Sequence, residues 1–386
     1  MKPFSLHRNP VKACQSLAFL LCTGLVSGAA AQTPELRACG GTAGAPAWAA
    51  VPAKAGAIYR GTVGTLSVVL QLGEGLDGGA ARYYYERKGI NIELTPFRSG
   101  ESLILQEEVW DGPMAGRVVT GCLTLNRLTL DNNAAGFTGT WAKPTGLGTL
   151  PVRLAPLNVV GVALKLPPSP GLLKLKTADP LAFLKLNRAW TTQAGGKSVR
   201  EPLSGVVYPR MPGASAGLNA ALQDRELEHA ANALDCAYRL GSSDMAEGYE
   251  LNAAITYTSV KLISLREDAG YYCGGAHPDN FSVGVMLDRA TGRAVPLPAI
   301  WPRLTAARQK ALYLNRLPAE VDAECRDVLR EMGSEFTAHL TRAGLNLTPT
   351  GLPHVVGACA ETVVVPFASL KADANAQGAY YREFYR

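Results

Sequence analysis

Six cysteines behind a secretion leader constrain this chain more than any other feature of its sequence. The first residues hold Lys2, Arg8 and Lys12 without an acid, then an apolar run from Leu17 to Val26, then small residues ending at Ala29-Ala30-Ala31. That is the three-part layout of a cleaved bacterial export signal, residues 1–31. The apolar run is shorter than the about 20 residues a helix needs to cross a bilayer, and no later stretch offers another span. The expectation is a periplasmic or secreted protein without a transmembrane segment. Cys14 and Cys22 leave with the leader, and Cys39, Cys122, Cys236, Cys273, Cys325 and Cys359 remain. In an oxidising compartment such an even set reads as bridges. Two fall in the first half and four in the second, so each half can close its own set. About three connectivities satisfy that rule; the expected pairs are Cys39 with Cys122, Cys236 with Cys273 and Cys325 with Cys359. Leu36-Arg37-Ala38-Cys39 ends as a lipoprotein processing site does, but Arg37 and the polar Gln32–Glu35 stretch argue against it, which leaves lipidation at Cys39 a minor alternative.

Charge and composition exclude some partners. The formal net charge is +6, of which Lys2, Arg8 and Lys12 supply three, so the exported part is only mildly basic. Without runs of Lys and Arg interleaved with aromatics, no nucleic-acid partner is expected. A hydrophobic content of 47% is ample for two ordinary cores.

Residues 32–155 read as an all-β domain. Short alternating runs (Ile58–Thr62, Leu66–Leu72, Arg82–Arg87, Ile90–Thr95, Leu103–Glu108, Cys122–Leu130, Gly136–Trp141, Leu150–Leu154) are separated by turn signals. Leu76-Asp77-Gly78-Gly79, Lys88-Gly89 and Asp131-Asn132-Asn133 favour the positive φ of tight hairpins. The implied fold is an antiparallel meander, as a barrel or a sandwich. Residues 156–203 change character, with Pro167-Pro168-Ser169-Pro170-Gly171 and Ala194-Gly195-Gly196, and read as a linker region with some ordered structure. Residues 204–386 read as an α+β domain, an antiparallel sheet with helices. It opens on a helix from about Ala216 to Arg239, with Leu218, Leu222, Leu227 and Leu234 at helical spacing. Strands follow over Tyr249–Thr258, Val260–Arg266, Gly270–Cys273 and Asn280–Asp288, then helices over Leu304–Leu314 and Ala319–Ala343, and a strand over Glu361–Pro366.

The chemistry-bearing motifs are few. Gly213-Ala214-Ser215-Ala216-Gly217 matches a nucleophile elbow, but Pro209 and Pro212 interrupt the strand that should lead into it and no parallel sheet is indicated. The exported histidines, His229, His277, His339 and His354, lack metal-ligand spacing, and no CxxC pair, HExxH or Walker loop occurs, so no metal or cofactor is expected. Glu107 and Glu108 would face opposite sides of one strand, which denies them a shared substrate. With Glu101 and Asp111 beside Trp110 they form an acidic stretch suited to a basic protein, or simply surface charge. Tyr83-Tyr84-Tyr85 alternates faces, either for cross-strand packing or for stacking on sugars. The candidate binding residues are Tyr271, Tyr272, His277 and Asp279, an aromatic and imidazole cluster beside two glycines at a strand edge. The blander role for His277 is a hydrogen bond to a backbone carbonyl that fixes the loop.

The same block carries a resemblance. Tyr271-Tyr272-Cys273-Gly274-Gly275-Ala276-His277-Pro278-Asp279, followed by a strand and Asp288-Arg289-Ala290-Thr291-Gly292, resembles the signature of an extracytoplasmic domain found as the outer part of RsiV-type anti-sigma factors and beside some peptidoglycan deacetylases. Val207-Tyr208-Pro209-Arg210, Leu218-Asn219 and Val364-Val365-Pro366-Phe367 lie in the matching order, so the resemblance spans about residues 203–386. The N-terminal part resembles barrel-like modules of secreted proteins without an assigned activity. The anti-sigma proteins add a membrane span and a cytoplasmic segment, and neither is expected here. The resemblance therefore implies a non-enzymatic envelope-binding protein whose partner is a lysozyme-like protein or peptidoglycan. The alternatives are an accessory to a wall-active hydrolase or deacetylase, and a stress-linked structural module without a ligand.

Overall fold

A computed structural model of the chain describes residues 38–40, 42–43, 57–73, 81–112, 116–129, 135–146, 148–241 and 248–385. The leader and the turns at 76–79 and 131–133 lie outside the described residues.

The first half closes into an eight-stranded antiparallel barrel. Its strands are β2 (Ala57–Val63), β3 (Leu66–Leu72), β4 (Ala81–Tyr85), β5 (Ile92–Ser99), β6 (Ser102–Trp110), β7 (Arg117–Thr129), β8 (Ala135–Ala142) and β9 (Thr149–Pro156), preceded by the short β1 (Thr42–Ala43). Each barrel strand pairs with the next, and β9 returns to β2 through Gly61 opposite Leu154, while β1 adds to β5. The period of two sorts the residues: Val68, Leu70 and Leu72 of β3 and Tyr83 of β4 point inward to meet Leu103, Leu105, Leu123, Leu125 and Phe137. Eight strands leave an interior that such side chains fill. Val69 and Tyr84 point outward and are fully buried all the same, because helices cover that wall.

Those helices come from the segment read as a linker region with some ordered structure. α1 (Pro170–Ala178) and α2 (Pro180–Leu186) start on Ser169 and Asp179, each capping its helix with a side-chain oxygen and each followed by a proline at the first helical position. Leu172, Leu181 and Phe183 pack with Ile58, Val69 and Tyr84 of the barrel wall and with Leu227, Ala230 and Leu234 of α3 (Ala216–Leu240). The cap Asp179 also pairs with Arg82 of β4 at 3.0 Å. A small sheet, β10 (Thr191–Gln193), β11 (Ser198–Arg200) and β12 (Val207–Pro209), leads into α3.

Two further three-stranded sheets build the rest. β13 (Tyr249–Thr258), β14 (Leu262–Tyr271) and β15 (Asp279–Asp288) form a long meander; β16 (Glu335–Leu340), β17 (Leu345–Thr350) and β18 (Val363–Val365) form a shorter one. Ile263 and Leu265 of β14 point to Leu218 and Leu222 of α3, whereas Leu262 points to Leu340, Leu345 and Leu347 of the second sheet. The sheets meet at Gly284 of β15, whose N–H donates to the Thr337 hydroxyl at 2.6 Å. α4 (Leu297–Ile300), α5 (Ala306–Leu314), α6 (Ala323–Met332) and α7 (Phe367–Leu370) complete the core around the fully buried Trp301 and Tyr313. The helix expected over Ala319–Ala343 is shorter: Asp322 caps it and Gly333 ends it, after which β16 begins. Phe336, Thr337 and His339, poor helix formers, continue as a strand because β17 offers them a partner.

Bridges close between Cys39 and Cys122, Cys236 and Cys273, and Cys325 and Cys359. One ties the chain before the barrel to β7, one ties α3 to the segment after β14, and one ties α6 to a 3₁₀ turn, His354–Cys359.

Candidate functional site

A cleft of about 950 Å³ opens between the two sheets of the second half. Its floor follows from strand register. Asn252, Asp268 and Ser282 stand in one row across β13, β14 and β15, and Glu250, Gly270 and Asn280 in the next, so all share a face. Arg266 lies on the same face of β14, two residues from Asp268. The opposite wall is Thr348 and Thr350 of β17, then Gly351, Leu352, His354, Gly357 and Ala358.

The floor is internally organised. Asp268 accepts from Arg266 Nε at 2.9 Å and from the Ser282 hydroxyl at 2.7 Å. Against this pair lies His339, only 4% exposed; burial and the Arg266 charge hold its pKa down to about 4, with Asp268 opposing, so the ring is neutral. Glu250, Asn252 and Asn280 are exposed to the cleft.

Of the candidate binding residues Asp279 is in the cleft lining, and Tyr271, Tyr272 and His277 are not. Asp279 lines the cleft, takes the Tyr271 hydroxyl at 3.1 Å, and lies 4.0 Å from His354 Nδ1. Tyr271 itself turns to the other face, where it packs with Tyr249 and Phe281. The Tyr272 hydroxyl donates to the Gly275 carbonyl at 3.0 Å, closing its own loop. His277 places Nδ1 at 3.0 Å from the Pro278 carbonyl and stacks on His354, with ring centroids 3.7 Å apart. The backbone-carbonyl contact expected of His277 is present, and its ring is exposed.

Beneath the floor, on the α3 side, sits a buried ion network that sequence reasoning missed. Glu267, with no exposure, accepts from the Tyr208 hydroxyl and from Arg225, and lies 3.2 Å from His229 Nε2. His229 Nδ1 meets the Tyr249 hydroxyl at 2.7 Å. The legible signal was an acid between Leu265 and Ala269 in an apolar strand, facing Arg225 and His229 spaced four apart on a helix. Arg266 and Asp268 were legible in the same way, as polar residues alternating with apolar ones.

Other motifs resolve into structure. Ser215 of the elbow-like motif is the N-cap of α3; its hydroxyl oxygen accepts from Leu218 N at 3.1 Å and donates to the Arg289 carbonyl at 2.8 Å. Glu101 and Asp111 of the acidic stretch are exposed, but its central pair is not on the surface. Glu107 and Glu108 are 6% and 5% exposed and do point to opposite faces, inside and outside the barrel. Glu107 accepts from Tyr83, Trp141 and Thr120 at 2.6, 2.7 and 2.8 Å. Tyr83 and Tyr84 are fully buried packing residues. Among the described residues no group of three His, Cys, Asp or Glu is placed to hold a metal, and no helix is long and apolar enough to cross a membrane. A cleft whose one central carboxylate is already bound to Arg266 and Ser282 is equipped to hold a polar ligand by hydrogen bonds. No family model matches the chain, and neither does any curated protein.

Proposed function

We propose that this is an extracytoplasmic binding protein that takes a segment of a lysozyme-like protein, or a peptidoglycan fragment, into the cleft between the β13–β15 sheet and the β16–β18 sheet. The observation that carries the proposal is the cleft itself: polar rows on a rigid sheet, a partly open mouth, and Asp279 of the resembling block on its rim. Glu250, Asp268 and Asp279 against the single Arg266 give the cleft an acidic excess, and complementary charge favours a basic partner. The resemblance to the outer domain of RsiV-type anti-sigma factors supports the same reading. On this reading the leader is removed, the bridges form in the periplasm or outside the cell, the barrel is one domain, and residues 204–386 form the binding domain.

The test is capture of purified mature protein by immobilised lysozyme and by isolated peptidoglycan, beside Asn252→Trp. Asn252 is exposed on the cleft floor, so an indole there fills the cleft without touching the core. Capture by either partner that falls about tenfold or more in the variant supports the cleft, about 1.4 kcal/mol of lost binding. Equal capture by both forms removes the cleft from the function.

A further inference from the structure

We infer that the cleft takes an extended cationic peptide segment whose backbone passes over Gly270 and whose lysine or arginine reaches Glu250. The inference rests on the cleft being the binding site, and it chooses peptide over glycan as the occupant. The register leaves Gly270 of β14 in the middle of a floor row, with Glu250 of β13 on one side and Asn280 of β15 on the other. Strands lie about 4.8 Å apart, so the flanking side chains rise from positions about 10 Å apart with bare backbone between them. A β-carbon added at Gly270 would meet nothing within 4 Å, so the space above it is open. Its backbone has no left-handed φ that would require glycine. A glycine inside a strand weakens the strand and marks a place where a ligand or another backbone comes close. On the facing wall Gly357 is open in the same way, and Ala358 beside it is exposed.

This trench is one chain wide, and its chemistry suits a peptide. Asn252 and Asn280, both exposed, stand on the strands either side of Gly270, and a carboxamide donates and accepts as a peptide group does. A cavity of about 950 Å³ is at the upper end of the roughly 300–1,000 Å³ of ligand sites, room for several residues of a chain that advances about 3.3 Å per residue. Charge selects the side chain. Arg266 is engaged by Asp268 at 2.9 Å, and His339 behind them is held neutral by burial, so neither offsets Glu250 and Asp279, the exposed carboxylates of the lining. Asp279 already accepts from the Tyr271 hydroxyl and the Asn280 N–H, which makes Glu250 the carboxylate that a cation reaches. A glycan would need an aromatic face for its pyranose rings. Phe281 is the only Phe, Tyr or Trp among the described residues of the lining. Its register partner Ala269 and its packing with His229, Tyr249 and Tyr271 place its ring on the α3 side of the sheet.

The experiment follows the fluorescence anisotropy of three labelled probes with the mature protein at neutral pH: a hexapeptide with two lysines, its counterpart with two glutamates, and an N-acetylglucosamine hexamer. Gly270→Val fills the trench with a strand-forming residue that the open space accommodates, and Glu250→Gln removes the charge while keeping the shape. Both variants are also compared with the wild type in lysozyme capture. The lysine peptide is expected to bind about tenfold or more tighter than the other two probes. Gly270→Val should lose about tenfold of that affinity with no lower urea midpoint, and Glu250→Gln should lose severalfold. Should Gly270→Val fail to fold, Glu250→Gln, on an exposed side chain, decides by itself. A lysine peptide that does not bind at about 1 mM, binds no tighter than either competitor, or binds both variants as it binds the wild type overturns the inference. A hexamer that binds the wild type and not Asn252→Trp keeps the cleft and makes its occupant a glycan. Lysozyme capture that falls in Asn252→Trp but not in Gly270→Val or Glu250→Gln keeps the cleft as the site and overturns the trench. Equal capture by all four forms removes the cleft and the inference together.

Discussion

Single residues decide how the β13–β15 and β16–β18 sheets are joined. A methyl at Gly284 would lie 1.9 Å from the Ala338 carbonyl oxygen, a backbone atom that cannot step aside. Gly284→Ala is expected to cost about 3 kcal/mol, in the range of severe core defects, and to lower the urea midpoint while loosening β15 from β16. An unchanged midpoint would mean that the sheets do not cross there. Glu267 carries the neighbouring interface. Burial pushes its carboxyl up, but hydrogen bonds and charge from His229 and Arg225 more than offset this and leave it at about 2. A folded value below the unfolded one stabilises above about pH 4.5, and that stability is lost as pH falls toward 2. Glu267→Gln removes the buried counter-charge of Arg225, leaving it the exposed Glu228, and is expected to cost about 3 kcal/mol at pH 7. The variant should also lose much of the acid-side slope of the wild type, so parallel stability curves from pH 5 to 2.5 would contradict the assignment.

At the scale of elements, caps and bridges place what the core does not. Ser215, legible as a polar residue ahead of a helical period, starts α3 and ties it to the turn after β15 through the Arg289 carbonyl. The 3₁₀ turn that brings His354 to the cleft has no side-chain cap and only partial burial, and its tether is the bridge to α6. Each bridge restricts the unfolded chain by about 2 to 4 kcal/mol. Dithiothreitol should therefore lower the melting temperature markedly, and Cys325→Ser, Cys359→Ser should raise proteolysis within 351–360 before anywhere else. A melting temperature indifferent to reductant would remove the oxidising compartment from the interpretation.

Across the whole molecule, the barrel and the second half share apolar packing through α1, α2 and α3. Lys185 of α2 sits in that junction, over the Tyr84 ring at 5.0 Å and bonded to Asn91 of the barrel at 2.5 Å. Burial pushes its ammonium down to about 7, helped by Arg82 and opposed by Asp179 and Asp235. Between pH 7 and 9 the unfolded chain holds a proton that the folded chain lacks, so this group makes stability rise with pH. Lys185→Met removes the buried charge at similar volume and is expected to raise the urea midpoint at pH 6.5 and to flatten that rise. A lower midpoint at pH 6.5 would show that the bond to Asn91 outweighs the cost of burial.

Alternation and turn residues around Val68, Leu70 and Tyr83 were sufficient by themselves to announce a β meander, because a strand's in-and-out period acts between adjacent residues. Cysteine parity behind an export leader was sufficient to announce bridges, and a capped, leucine-spaced run to announce α3. Only the tertiary structure closed the meander into a barrel, placed Glu107 inside it among three donors, and turned the end of an expected helix into β16. It alone set His354 against His277 and opened a cleft over Asn252, Asp268 and Ser282. The reason is range: caps, periods and turns act within a few residues. The fate of a charge, and the meeting of two loops, depend on which distant surface arrives beside them.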